Sequence, residues 1–271
     1  MRERVIGSWD ELQSAVFDNA WDETILRYRN NRVFRGVSDN RWGLVPSLNR
    51  CCPQNPALER HILRNFRKYG YADLTDCHSF WQLVAMGQQF GLPTRLLDWT
   101  YSPLVAAHFA TEDINSYHID GAIICCDMEK VNYCLPDALQ EILLKESCNV
   151  FSMDMLDSVA ADFAALQRLS PDPFAFFFEP SSTVNRIANQ YALFSLSSNR
   201  DVLIDTLPCA EDAFLRLVIP AHLKLEIRDK LDYINISERM IYPGLDGICR
   251  WIARRYAPLG PMFHHPKGKD R

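Results

Sequence analysis

Apolar and polar positions in this chain follow two periods. In "SWDELQSAVFDNA" apolar residues recur every three or four positions, the spacing of a helix with one buried face. Ser8 is placed to cap the first turn and Glu11 to reach back to it, so a helix is predicted from about Trp9 to Ala20. "RVFRG" is short, apolar and closed by Gly36, and reads as a strand. In "NPALERHILRNFRKYG" Asn55 is the cap, Pro56 the first helical residue and Gly70 the stop. "SFWQLVAMGQQFG" repeats that logic with Ser79, Gln82 and Gly91. Ser102 and Pro103 open a helix over "PLVAAHFATE", with Val105 and Phe109 on one face. "GAIICCDM" is apolar throughout and reads as a buried strand. "PDALQEILLKE" and "DMLDSVAADFAALQRL" are predicted helices, and "FAFFFEP", "YALFSLSS" and "AFLRLVIP" predicted strands. "AHLKLEIRDKLDYI" and "DGICRWIARRYA" close the chain as helices. Helices dominate the first half and strands the second, without regular alternation. The expected fold is α+β: one compact domain over residues 1–258, mixed or antiparallel sheets with N-terminal helices, then a flexible tail over 259–271.

Composition narrows the function. The chain has 271 residues, is 48% hydrophobic, and so has enough apolar mass for a sizeable core. Its net charge of −5 provides no global basic field for a polyanion, so any nucleic-acid contact needs a local patch. The nine cysteines form no C-x-x-C pair, which argues against a zinc ribbon and for reduced thiols. The histidines lack metal-ligand spacing, and no metal is expected. The first residues show no apolar leader and no run approaches a membrane span, so a cytoplasmic protein without membrane contact is expected.

The densest chemistry lies in "QQFGLPTRLLDWTYSPLVAAHFAT", where Thr94, Arg95, Asp98, Trp99, Thr100 and Ser102 fall within nine positions. Leu96, Leu97 and Trp99 are expected to anchor a loop and draw Asp98 inward. A buried carboxylate needs partners, and Arg95 or backbone amides are candidates. Thr100 and Ser102 can cap the next helix or bind a ribose hydroxyl. Arg35, ending a short strand, can hold a phosphate through its planar fork, with Gly36 admitting a close ligand. Equally, Arg35 can be a solvated arginine in a turn, or the internal partner of Asp98. "WGLVPSLNR" reads as a loop over a ligand or as ordinary packing. His108 reads as a hydrogen-bonded core residue.

"FRGVSDNRWGLVPSLNR", "FWQLVAMGQQFGLPTRLLDWTYSPLVAAHFA", "NRIANQYALFSLSS" and "YPGLDGICRWI" together resemble the FRG domain, over roughly Trp9 to Trp251. Gln89 stands where that family usually has histidine. The order of motifs is also similar to that of many ADP-ribosyltransferases: an arginine in a strand (Arg35-Gly36), a Ser/Thr segment entering a helix (Thr100, Ser102, "AAHFA"), and a Glu or Gln before an apolar strand (Gln190). That similarity implies NAD as substrate and transfer of ADP-ribose to a protein or nucleic acid, with a bacterial toxin or antiviral defence setting as the expected context. It implies Arg35 on the pyrophosphate, Thr100 or Ser102 on the nicotinamide ribose, and Trp99, Tyr101 or Tyr191 against the nicotinamide. Gln190 cannot act as a base, so Asp98, Glu179 or Asp246 must supply the carboxylate. The alternative is an FRG module that binds a nucleotide or nucleic acid without turnover. No metal enters either reading.

Overall fold

Strands form where apolar residues alternate or run continuously, and their edges zip into one mixed sheet. The computed structural model describes residues 1–18, 20–29, 31–51, 55, 58–180, 185–208 and 212–257. Within them the strands are β1 (Arg2–Val5), β2 (Trp21–Asp22), β3 (Arg27–Tyr28), β4 (Arg32–Val37), β5 (Leu97–Thr100), β6 (Gly121–Asp127), β7 (Ala175–Phe178), β8 (Ala192–Ser197) and β9 (Phe214–Ile219). The helices are α1 (Trp9–Phe17), α2 (Ser47–Cys51), α3 (Leu58–Tyr69), α4 (Phe80–Gln89), α5 (Pro103–Thr111), α6 (Met128–Asn132), α7 (Asp137–Lys145), α8 (Met153–Val159), α9 (Phe163–Gln167), α10 (Asn185–Gln190), α11 (Ala221–Tyr233), α12 (Glu238–Ile241) and α13 (Leu245–Tyr256).

Seven strands order as β1-β9-β6-β4-β5-β8-β7, with β2 and β3 a separate hairpin. Only β1 and β9 run parallel; the other neighbours in the large sheet are antiparallel. This is the expected α+β arrangement. Pairing is extensive within β9-β6-β4 and within β5-β8-β7. Between β4 and β5 it narrows to Phe34 opposite Thr100. The sheet is thus two well-paired parts joined at one point.

Side-chain alternation gives each face its own core. Phe34, Ile123, Cys125, Leu217 and Ile219 pack under α1, α5 and α11. Val33, Leu97, Trp99, Ile124 and Phe177 face the other way, toward Leu44, Met128 and Val131. Phe176, Phe178, Phe194 and Leu196 pack with Trp81 of α4 and Leu156 of α8. At about 25 cal/mol per Å² of apolar surface, such aromatic burial is the main force holding the layers together.

The caps behave largely as the sequence indicates. Ser79 and Gln82 form both halves of a capping box. Ser102 accepts from the Val105 amide with Pro103 at the first helical position. At α1 Ser8 caps Glu11, but the Glu11 carboxylate turns to the Gly7 amide, 2.8 Å away, and the helix stops at Phe17. The single helix expected over "DMLDSVAADFAALQRL" is two. The Ala160 carbonyl accepts the Trp81 indole N–H at 2.8 Å, and Asp162 starts a new helix by capping Ala165. β1 and β5 were not expected as strands. Pro56 and the tail lie outside the described residues.

Cys51, Cys77, Cys125, Cys126, Cys148 and Cys249 are free thiols. Cys134 is disulfide-bonded, which corrects the expectation of uniformly reduced cysteines. Among the described residues no helix is long and apolar enough to cross a membrane.

Candidate functional site

The narrow junction between β4 and β5 determines where the predicted site residues go. Along β4, Phe34 and Gly36 face α5, so Arg35 leaves on the opposite side with Val33. Its guanidinium donates from Nη1 to the Asp98 carbonyl at 2.6 Å and lies 3.7 Å from the Asp98 carboxylate. It thereby adds a bond between β4 and β5, whose register holds one residue pair. Among the described residues the buried Arg35 Nε has no hydrogen-bond partner, and burial lowers the guanidinium pKa, with the Asp98 charge acting against that. Of the roles open to Arg35 from the sequence, phosphate holder, solvated turn residue or internal partner of Asp98, the structure gives the internal partner in place of an arginine free to line a cleft.

Asp98 corrects a second expectation. Residues 97–100 form a strand, so Leu97 and Trp99 point to one core and Asp98 to the other side. Its side chain is 58% exposed rather than buried. Its carboxylate accepts from the Gln88 amide at 2.9 Å, and Gln88 in turn accepts from the Thr94 hydroxyl at 2.5 Å. Ser47 then donates to the Thr94 carbonyl and accepts from its amide. Arg95 is turned away from Asp98. It forms a side-on pair with buried Glu59, with Nε 2.9 and 3.0 Å from the two carboxylate oxygens. The Trp99 indole N–H is taken by the Ser195 hydroxyl at 2.8 Å, so Trp99 is a core residue and no ligand platform.

Gly36 was read as room for a ligand. That room is occupied by α5. A Cβ at position 36 would stand 1.9 Å from the Ala106 carbonyl oxygen and 2.7 Å from the Ala110 nitrogen. The glycine lets a helix backbone lie directly on β4.

The other predicted residues gather at one end of β5, β7 and β8. The Thr100 hydroxyl donates to the Gln190 carbonyl at 2.7 Å and accepts from the Ser102 amide at 3.0 Å. The Tyr101 amide bonds the Tyr191 carbonyl. Tyr191, the residue before β8, has a φ of 48°, the left-handed region that a bulky side chain enters at a cost of roughly 1–3 kcal/mol, and its ring is exposed. Glu179, one residue past β7, accepts the Tyr101 hydroxyl at 2.8 Å. Burial, helped by Glu179, pushes the Tyr101 phenol well above its ordinary pKa, so it stays a donor. The Gln190 amide donates to the Ile241 carbonyl of α12 at 3.2 Å. The structure therefore joins Thr100, Ser102, Gln190 and Tyr191 with Glu179 in one cluster, and Arg35 with Asp98 in another.

Two further placements bear on the site. Gln89 lines a cavity of about 270 Å³ with Cys77, Met86, Pro180 and Ile187, which places it near Pro180, the neighbour of Glu179. His108 is fully buried; its Nδ1 accepts from Arg228 and its Nε2 faces Glu112 at 3.2 Å. It is the core histidine expected. Asp246 lies at the start of α13, paired with Arg250. Among the described residues no three His, Cys, Asp or Glu side chains gather as metal ligands would.

Residues 30–118 match the sequence profile of the FRG domain, the stretch that holds β4, α2 to α5 and β5. No match is found among curated proteins or solved structures.

Proposed function

We propose that the chain binds NAD at the end of β5, β7 and β8 and transfers ADP-ribose from it, with Glu179 supplying the carboxylate that Gln190 does not. The carrying observation is the 2.8 Å bond from the Tyr101 hydroxyl to the exposed Glu179 carboxylate, beside Thr100 and the strained, exposed Tyr191. In this reading the Tyr191 ring receives the nicotinamide. Ser102 and Thr100 fix the geometry of the turn that faces the ribose. Breaking the bond between C1′ and the nicotinamide nitrogen sends its electron pair to the leaving nicotinamide and leaves an oxocarbenium-like ribose. Glu179 stabilises that charge. The acceptor, a protein or nucleic-acid nucleophile, adds to C1′ and gives its proton to Glu179 or to solvent. Arg35 acts here as a positioning residue that holds β5 through the Asp98 carbonyl.

The test is calorimetric titration of NAD into wild type and Glu179→Gln, with nicotinamide release followed in parallel in a cell extract. Glu179→Gln is expected to keep NAD affinity within about threefold and to lose release by about 100-fold or more. No NAD binding by the wild type overturns the reading. A second reading rests on a specific observation: the Arg35 guanidinium and the Gln190 amide are both engaged internally. It is an FRG module that binds a nucleotide without turnover. NAD binding with no nicotinamide release in any extract supports that one instead.

A further inference from the structure

A sizeable cavity with a charged lining lies away from this cluster, at the opposite end of β5. It has a volume of about 850 Å³ and is lined by Arg60, Arg64 and Arg67 of α3, with Arg95, which precedes β5 by two residues. β5 spans four residues, so the cavity and the Thr100 end are separated by about 10 Å of strand.

Arg60, Arg64 and Arg67 recur at four and three positions and therefore share one face of α3. All three are exposed, and none takes part in a hydrogen bond or ion pair among the described residues. This is unusual in a chain with a net charge of −5, where carboxylates outnumber the cations that could pair with them. Neighbouring arginines show the contrast. Arg95 is held by Glu59 and stacks its guanidinium 3.9 Å above the Phe163 ring, and Arg200 donates to the Asn55 carbonyl. The row on α3 is left with open forks directed at a concave space.

The rest of the lining differs in kind. Phe80 and Phe163 are half-buried and supply apolar surface. Gln167, Asn199, Asp162 and Asp201 supply amides and carboxylates. Asp162 caps α9 with one oxygen. Phosphate oxygens fit the arginine row, and the amides and carboxylates match the donor and acceptor edges of bases. A simple anion uses only the first set. A duplex presents its bases inside the stack and cannot bring them into a cavity of this size. A single strand presents both at once. Arg60 to Arg67 spans about 10 Å of helix rise, the length of about three stacked nucleotides.

We infer that the cavity beside α3 is a binding track for single-stranded nucleic acid, with Arg60, Arg64 and Arg67 on the phosphates. This inference is independent of the NAD reading. It is tested by fluorescence anisotropy with a labelled single strand of about 12 nucleotides, as RNA and as DNA, against a duplex of the same sequence and inorganic polyphosphate. Three phosphate contacts predict a log–log salt slope of about −2, or a roughly twentyfold loss of affinity between about 50 and 200 mM salt. The triple variant Arg60→Gln, Arg64→Gln, Arg67→Gln is expected to weaken single-strand binding by about tenfold or more at the lower salt and to bring the slope close to zero. Arg250→Gln, on α13, is expected to bind like wild type. Since the three α3 arginines make no hydrogen bond or ion pair among the described residues, the triple variant should melt with the wild type, which separates lost binding from lost fold. Three outcomes overturn the inference: no single-strand binding at low salt, equal binding by the triple variant, or duplex or polyphosphate bound as tightly as the single strand.

Discussion

Replacing Gly36 by alanine separates two roles for the glycine of the Phe-Arg-Gly triplet. An alanine Cβ there would lie 1.9 Å from the Ala106 oxygen, 2.7 Å from the Ala110 nitrogen and 2.9 Å from the Ala106 carbonyl carbon. Carbon and oxygen tolerate roughly 3.3 Å even in their closest favourable contacts, so about 1.4 Å of clearance must be found. All three obstructing atoms are helix backbone, and no rotamer change relieves them. α5 would have to retreat from β4. On its inner side Ala106, Ala107 and Ala110 are fully buried against Phe34 and Ile123, and a gap of 0.5–1 Å there forfeits about a quarter to a half of the dispersion contact. On its outer side Val105 is pressed by Ile241 and Tyr242. The expected loss is about 3–5 kcal/mol, at or above the top of the usual overpacking range and a large part of a typical total of about 5–15 kcal/mol. Urea unfolding of Gly36→Ala beside Gly91→Ala measures it. Gly91 has a φ of 84° and nothing within 4 Å of its missing Cβ, so alanine there costs only the left-handed backbone, about 1–2 kcal/mol. A Gly36→Ala protein as stable as Gly91→Ala would refute the seating of α5 on β4. If it also lost NAD binding, the ligand role would be restored.

Asp98→Ala is expected to change stability by less than about 1 kcal/mol in a urea melt, because its carboxylate is mostly solvated and its bond to Gln88 is exposed; a loss above about 2 kcal/mol would contradict the exposed placement. His108 accepts from Arg228 at Nδ1, so its proton sits on Nε2 toward Glu112 and the ring is neutral; burial, with help from Arg228, holds its pKa below the ordinary value of about 6.5. The unfolded histidine gains a proton as pH falls through about 6.5 and the folded one does not, so stability should fall below that pH by up to about 1.4 kcal/mol per unit; His108→Gln should flatten this slope in unfolding curves taken from pH 7 to 5, and an unchanged slope would sink the assignment.

The legible parts of the fold were those governed by local chemistry. Ser79 and Ser102 cap their helices through bonds spanning three residues, and such caps can be read directly. β6 and β7 could be read because they are apolar throughout. "LDWT" carried a period-two signal, but Leu96 beside Leu97 blurred the alternation and suggested a loop. The break at Ala160 could not be read, since alanine favours helix and the competing donor, Trp81, is 79 positions away. The partners of Arg35 and His108 are equally remote, 63 and 120 positions along the chain. A residue type reveals what bonds a side chain can make, and only the fold determines which of them it makes.

That distinction changes the meaning of the densest motif. Arg35 anchors Asp98, Gly36 seats Ala106, Thr94 joins Gln88 to Ser47, Arg95 locks Glu59, and Trp99 bonds Ser195. The Gly36, Thr94 and Arg95 contacts join elements that strand pairing does not unite, Arg35 adds a bond where β4 and β5 share one residue pair, and Trp99 ties β5 to its paired neighbour β8. The motif sits where the sheet narrows to a single residue pair, and such a point needs extra bonds to stay rigid. The polar density of "GLPTRLLDWTYSP" therefore reports a mechanical junction first. Rigid scaffolds are where reactive groups are best positioned, and what the junction positions is the Thr100–Tyr191 turn with Glu179 beside it. The side chains placed for chemistry are thus the ones that the motif holds, and the motif's own arginine is part of the frame.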